Sequence, residues 1–138
     1  MAGMKKVAAD FFDACETGKG WEKCKAYCDK DATFSSQADA LDGVTTLADY
    51  TEWMKNLLTA IPDGQYEIRS FAVDEEREKV SVYAVLSGTN TGDGGPVEPT
   101  GKAVEADYVY VMDFDGGSIS HMTKIWNDGY SVRQLGWA

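Results

Sequence analysis

The period of the hydrophobic pattern changes once along this chain, close to Pro62, and this change limits the folds that it can adopt. Upstream, apolar residues recur at spacings of three and four, which is the pattern of an α-helix with one buried face. Downstream, runs rich in Val, Tyr, Ile and Phe are separated by short turn sequences, which is typical of strands. Helices followed by a block of strands predict an α+β fold, with the helices to one side of a sheet.

Three helices are predicted before the change of period. The first carries its apolar residues on one face and is ended by the glycines of 17–20. A short second helix is expected from Trp21 to about Cys28. The third is predicted to follow Thr46, which can cap it together with Asp49 three residues on. This third helix has the strongest helical periodicity, carried by Leu47, Tyr50, Met54, Leu57, Leu58 and Ile61.

Five strands are predicted, over 31–35, 66–73, 79–88, 102–114 and 118–127. Residues 74–78 and 115–117 are typical of hairpin connections, and 89–101 is predicted to be a longer loop. We expect a curved antiparallel sheet wrapped around the N-terminal helices, in one domain covering 1–138. The space between sheet and helices would be a cone-shaped apolar pocket. Trp53, Tyr83, Tyr108, Tyr110 and Trp126 either pack in the core, the more common use of such aromatic residues, or line this pocket.

The chain is strongly acidic, with a formal net charge of −10 over 138 residues. Such a surface repels phosphate backbones and anionic lipid headgroups, so nucleic acid and membrane are poor candidate partners. The N-terminal residues include no apolar stretch long enough for a signal peptide or a membrane span. We therefore expect a cytoplasmic protein.

Cysteine and histidine are too few for the common metal sites. The cysteines, Cys15, Cys24 and Cys28, are odd in number and follow no secretion signal, which argues against disulfides. Two thiols one helical turn apart do not supply the four ligands of a zinc site, so buried thiols are predicted. The single histidine excludes a multi-histidine metal site. We expect no metal and no cofactor.

Short motifs in the second half of the chain resemble those of the SnoaL-like polyketide cyclases, a family of the nuclear transport factor 2-like superfamily. The family's motifs read GTHTG, PPTGK, GKI, a Trp-Asp pair and QLG. Their counterparts here are Ser87–Gly92, Glu98–Lys102, Gly117–Ile119, Trp126–Asn127 and Gln134–Trp137. Order and spacing agree from about Ala48 onward, whereas the first two helices match only in outline.

The resemblance implies the cone fold, a pocket for a small carbonyl-bearing or polyketide-like compound, and dimers formed through the outer face of the sheet. In the family's cyclases an aspartate on the last strand is the acid and base of an intramolecular aldol closure that needs no cofactor. Asn127 stands at the position of that aspartate, and Asn90 replaces the histidine of GTHTG. An amide does not titrate, and loss of a positioned general base costs a factor of about 10²–10⁴ in rate. Asn127 could therefore polarise a ligand carbonyl but could not remove a proton.

Two other residues near the last strand can titrate. Alternation of side chains places His121 on the face of Asn127, where it would be a usable base; the alternative is a half-exposed histidine beside a glycine turn. Asp128 shares the opposite face with Lys124 and is expected in a surface ion pair or a subunit contact, unless a bulge turns it inward. Asn90 either contacts the ligand or bonds only to nearby backbone.

Three functions are open from the sequence. The first is a cofactor-free cyclase, isomerase or lyase that acts on a small carbonyl compound by acid and base chemistry. The second is a non-catalytic module with the same cone, which holds an apolar ligand or a partner without turning it over. The third is a protein-interaction scaffold that uses the outer sheet face, where Trp126 and Trp137 could contact a second copy. The catalytic candidates are Asn127, His121 and Asp128. The ligand-binding candidates are Asn90, Trp53, Tyr83, Tyr110 and Trp126.

Overall fold

Helices cover the inner face of a five-stranded sheet in the computed structural model, which describes residues 3–138. The helices are α1 (Met4–Glu16), α2 (Trp21–Cys24), α3 (Leu47–Ala60) and α4 (Asp128–Leu135), with 3-10 turns at Lys25–Tyr27 and Asp39–Leu41. The strands are β1 (Cys28–Ser36), β2 (Gln65–Asp74), β3 (Lys79–Thr89), β4 (Ala103–Asp115) and β5 (Ser118–Trp126). The predicted α+β fold is confirmed. Among the described residues, no helix combines the length and the apolar composition needed to cross a membrane.

The sheet is mixed, with the strand order β1-β5-β4-β3-β2. Strands β2 to β5 pair antiparallel, as their hairpins predict. β1 differs from the expectation, because it is longer than 31–35 and lies parallel to β5, with Phe34 opposite Met122. Parallel strands need a crossover connection, and the chain supplies it by passing through α3 and three strands before it reaches β5.

Helix α3 begins where its capping signal predicts. The side-chain oxygen of Thr46 accepts a hydrogen bond from the backbone nitrogen of Asp49 at 3.1 Å, which satisfies one of the unpaired amides of the first turn. Tyr50 and Met54 of this helix are buried against the sheet. Helix α2 is shorter than expected and ends at Cys24, because the next residues tighten into a 3-10 turn.

The core lies between α1 and the inner face of the sheet. Along β4 every second residue from Val104 to Phe114 is buried, which is the period of a strand with one buried face. Phe11 and Phe12 of α1 have no exposed surface. The ring of Phe12 lies 6.3 Å from that of Tyr108, so α1 is packed directly over the middle of β4.

The three cysteines are free thiols. Cys15 and Cys24 are buried, as predicted, and Cys28 is partly buried at the start of β1.

A bulge near the start of β5 changes which of its side chains point inward. Asp113 of β4 lies opposite His121, but the next residue of β4 lies opposite Ile119, so Ser120 is an extra residue. Ile119 and Met122, three positions apart, are consequently both buried. After the bulge, the inward side chains of β5 are Met122, Lys124 and Trp126.

Asn90 is a buried anchor between three segments. Its amide nitrogen donates to the carbonyl oxygens of Ala60 at 2.9 Å and Gly92 at 3.3 Å. Its side-chain oxygen accepts from the backbone nitrogen of Thr100 at 3.0 Å and from the indole nitrogen of Trp137 at 3.1 Å. Asn90 therefore ties the end of α3, the 89–101 loop and the C-terminus together. Its role is structural, as in the backbone-bonding alternative, but its partners include the distant carbonyl of Ala60 and the indole of Trp137.

We expect Asn90→Ala to lower the free energy of unfolding by about 1–3 kcal/mol or more, because buried donors and acceptors lose their partner. Urea denaturation followed by tryptophan fluorescence measures this loss. Asn56→Ala is the matched control, because Asn56 is exposed on α3 and such surface changes stay within about 0.5 kcal/mol. Equal losses in the two variants would contradict the anchoring role.

Candidate active site

A cavity of about 510 Å³ opens between α3, the inner face of the sheet, α4 and the C-terminal residues. Its size lies within the range of about 300–1,000 Å³ that is common for small-molecule sites. The walls are mainly aliphatic, formed by Leu57, Ala60, Ile61, Leu86, Val104, Ala106, Val132 and Leu135. Gly94–Pro96 and Trp137 frame the cavity as well, and Glu16 and Lys124 lie on its inner surface.

A hydrogen-bonded chain joins the two charged groups of the cavity. The amine of Lys124 donates to the hydroxyl of Tyr50 at 3.1 Å, and that hydroxyl is hydrogen-bonded to the hydroxyl of Tyr110. The Tyr110 hydroxyl donates to Oε2 of Glu16 at 2.8 Å. Tyr108, which lines the cavity, donates to Oε1 of the same carboxylate. We call these five residues the floor cluster.

Aromatic rings surround the amine of Lys124. Its nitrogen lies 4.1 Å from the centre of the Trp126 ring and 5.2 Å from that of Trp53. The rings of Tyr50, Tyr108 and Tyr110 are 5.3, 5.5 and 5.9 Å away. Ring faces attract a cation, and more strongly when water is excluded. The rings therefore offset part of the cost of burying Lys124, a residue that is only 5% exposed.

Burial shifts the pKa values of both charged groups toward neutral pH. Desolvation lowers the pKa of Lys124 to about 8, and the negative charge of Glu16 opposes that shift. Desolvation also raises the pKa of Glu16, against the charge of Lys124 and the hydrogen bonds from Tyr108 and Tyr110. A buried acid and base displaced in this way, beside a cavity, are the features expected of a proton-transfer site.

Two of the predicted ligand-binding residues line the cavity. Trp53 projects from α3 and Trp126 from β5. Tyr110 lies behind the lining as part of the floor cluster, with no exposed surface. The prediction for Tyr83 is wrong, because its side chain lies on the outer face of the sheet and its hydroxyl donates to Asp107 at 3.0 Å. Asn90 makes the hydrogen bonds described above, to backbone groups and to the Trp137 indole, and does not line the cavity.

The expectation that His121 and Asn127 face the pocket is also wrong. Nδ1 of His121 is hydrogen-bonded to Thr33 at 2.7 Å and its Nε2 to Ser35 at 3.0 Å, on the outer face of the sheet. The bulge at Ser120 is the reason. Strict alternation from the buried Ile119 would turn His121 inward, and the extra residue turns His121 to the outer face instead. Asn127 is exposed where the predicted strand gives way to α4, and its side-chain oxygen caps that helix by accepting from the backbone nitrogen of Tyr130 at 3.1 Å.

Asp128 and Lys124 do not form the expected surface ion pair. Oδ2 of Asp128 accepts from the backbone nitrogen of Ala40 at 2.8 Å, which ties α4 to the turn after β1. Lys124 points inward instead and is buried. Trp126 and Trp137 line the cavity and do not lie on the outer sheet face, where we expected them to contact a second copy.

Sequence reasoning missed Glu16 and Lys124 as site residues, although each stands at a position where a buried apolar residue is expected. Glu16 follows Phe12 by four residues and therefore lies on the apolar face of α1. Lys124 stands between Met122 and Trp126 on alternate positions of β5. A charged residue inside an apolar pattern was the signal available for both.

Residues 6–135 match the family model of the SnoaL-like polyketide cyclases. The chain belongs to this family. No curated protein sequence is significantly similar to it.

Solved structures of similar fold come from several bacteria. AclR, a proposed hydroxylase from Streptomyces galilaeus, has a TM-score of 0.79 at 22% identity, covering 98% of this chain and 82% of AclR. IdmH, a proposed polyketide cyclase from Streptomyces antibioticus, has a TM-score of 0.77 at 18% identity, covering 98% and 99%. A nuclear transport factor 2-like protein from Burkholderia thailandensis has a TM-score of 0.74 at 15% identity, covering 98% of both chains. At these identities the likeness shows the fold alone.

We expect Lys124 of this SnoaL-like protein to titrate near its lowered pKa of about 8, whereas an ordinary lysine titrates near about 10.4. NMR of isotopically labelled lysine side chains measures this, and loss of a signal in Lys124→Met assigns it. Because the charge of Glu16 raises the pKa of Lys124, Glu16→Gln should lower it further. An ordinary pKa for Lys124, or no response to Glu16→Gln, would contradict this account of the site.

Proposed function

We propose that the cavity binds a small, mainly apolar carbonyl compound, such as a polyketide-like ring, and that the floor cluster exchanges protons with it in a cyclase, isomerase or lyase reaction. The observation that carries this proposal is the hydrogen-bonded acid and base at the end of an aliphatic cavity. Apolar walls with a few polar groups suit a ligand that is mostly hydrocarbon and carries one or two oxygens.

The positions of the two charged groups suggest their roles. The ammonium group of Lys124 uses one of its three protons for Tyr50 and can donate another to a carbonyl oxygen. This hydrogen bond becomes stronger as negative charge develops on that oxygen. Each oxygen of Glu16 accepts one hydrogen bond from a tyrosine, and a carboxylate oxygen has a second lone pair. The carboxylate can therefore take a proton from the carbon next to the carbonyl, which leaves an enolate.

The enolate can react in two ways. The enolate carbon can attack a second carbonyl of the same ligand, which forms a carbon–carbon bond, and Glu16 then returns its proton to the new alkoxide. Alternatively, Glu16 returns the proton to a different carbon of the enolate, which isomerises the ligand. Both outcomes restore the floor cluster, and neither route requires Asn127, which is exposed and caps α4.

A non-catalytic ligand-binding module is the second candidate. The observation that favours it is the saturation of the buried polar groups: within the described residues, no buried side-chain nitrogen or oxygen lacks a hydrogen-bond partner. In this alternative the floor cluster orients a ligand carbonyl but never changes its protonation state.

Deuterium exchange at carbon separates the two candidates. The probes are 1-tetralone and 2-acetyl-1-tetralone, a ketone and a β-diketone of bicyclic size, in deuterated buffer with detection by NMR. The proposal predicts exchange above the buffer rate, reduced by about 10²–10⁴ in Glu16→Gln because the general base is lost. Glu22→Gln is the matched control, since Glu22 is exposed on α2, and His121→Asn should also leave the rate unchanged.

The outcomes that contradict the proposal are distinct. Binding of either probe, seen as quenching of tryptophan fluorescence, with exchange no faster than in buffer would favour the binding module. Exchange that is retained in Glu16→Gln but lost in His121→Asn would indicate that the proton transfer takes place at His121, on the outer face of the sheet.

A further inference from the structure

We propose that Lys124 is a covalent site of this protein, at which its amine condenses with the carbonyl group of the ligand to form an imine. This rests on the proposed function, because it requires a carbonyl compound in the cavity. It adds a reaction class, amine catalysis through a bound iminium ion, that proton exchange alone does not include.

The placement of the amine favours attack on a ligand. Lys124 projects from the inner face of β5 into the lining of the cavity. Within residues 3–138 its nitrogen makes one hydrogen bond, to Tyr50, and is part of no ion pair. An amine held by a carboxylate would be fixed and charged, whereas this amine faces rings and open volume.

The floor cluster provides a route for the proton that the ammonium group must lose. The lysine donates to Tyr50, the hydroxyls of Tyr50 and Tyr110 share a hydrogen bond, and Tyr110 donates to Glu16. A shift of one proton along each bond leaves a neutral amine at one end and a carboxylic acid at the other. The raised pKa of Glu16 and the lowered pKa of Lys124, both caused by burial, favour this transfer.

Groups of the chain can supply and take up every proton that moves during the condensation. The lone pair of the amine forms a bond to the carbonyl carbon, and the carbonyl oxygen takes a proton from Tyr108, which recovers one from Glu16. The nitrogen of this adduct then loses one of its two protons through Tyr50 and Tyr110 to Glu16, which gives the neutral carbinolamine. Glu16 passes that proton through Tyr108 to the hydroxyl group, which leaves as water while a carbon–nitrogen double bond forms. The net change is ammonium plus carbonyl to protonated imine plus water. The protonated imine withdraws electrons more strongly than the ketone did, so loss of the neighbouring proton becomes easier.

The other lysines should form an imine with a carbonyl compound less readily than Lys124. At a given pH well below both values, a lysine with a pKa of about 8 has roughly 200 times more neutral amine than one with the ordinary pKa of about 10.4. An exposed lysine also lacks an apolar wall that would hold an aromatic aldehyde against it. Lys102 serves as the comparison, because it is exposed.

Reductive trapping tests the proposal. The full chain is incubated near neutral pH with 6-methoxy-2-naphthaldehyde, sodium cyanoborohydride is added, and peptide mass mapping locates the secondary amine that results. We expect the adduct at Lys124 in preference to every other lysine. It should be lost in Lys124→Met and retained in Lys102→Met. Because mapping of the unaltered protein locates the adduct by itself, the test does not depend on whether Lys124→Met folds.

The possible results test imine formation at Lys124 separately from carbonyl binding in the cavity. Quenching of tryptophan fluorescence by the aldehyde, with no adduct at Lys124 or with adducts spread evenly over the lysines, would overturn the imine and leave carbonyl binding intact. No quenching and no adduct at Lys124 would overturn the imine together with carbonyl binding in the cavity. Preferential labelling of Lys124 that disappears when 1-tetralone is present in excess would support both.

Discussion

Glu16 and Lys124 are ionisable groups held out of water beside one apolar cavity, and the properties of the site depend on that burial. Removing such groups from water costs several kcal/mol for each ion. The surroundings offset part of this cost, because two tyrosine hydroxyls donate to the carboxylate and five rings surround the ammonium group. The offset is incomplete, since desolvation is the largest cause of both pKa shifts. Because the compensation is incomplete, the pKa of Lys124 is lowered to about 8 and the pKa of Glu16 is raised.

A single extra residue in β5 determines which side chains reach this site. Without the bulge at Ser120, a strand that buries Ile119 would also bury His121 and would turn Lys124 toward the outside. The pattern contains one sign of the bulge, because Ile119 and Met122 are apolar residues three positions apart. Alignment to the family's aspartate directed attention to Asn127 instead. That position lies beyond the end of the strand, where the chain already turns into α4.

Features set by neighbouring residues could be predicted from the sequence, and features set by distant ones could not. The Thr46 cap, the hairpins and the alternation of β4 depend on local spacing, and the structure contains all of them. The parallel pairing of β1 with β5 depends on how the whole chain crosses over, and so does the approach of α1 to β5. Glu16 and Lys124 could each have been recognised as a charged residue at an apolar position. Nothing in either segment indicated that the two are joined through tyrosines.

A buried pair of charges is weak evidence for a structural role, because apolar residues of similar volume are often as stabilising. Aliphatic side chains in place of the floor cluster would need no tyrosine hydroxyls to satisfy them. They could not supply a proton donor and acceptor to a cavity, and this is the property that the cluster adds. Since a fold fixes where a cavity lies but not which element supplies its chemistry, titratable groups beside the cavity need not occupy the family's position on the last strand. Here a carboxyl group at the end of α1 and an amine near the end of β5 line the same cavity.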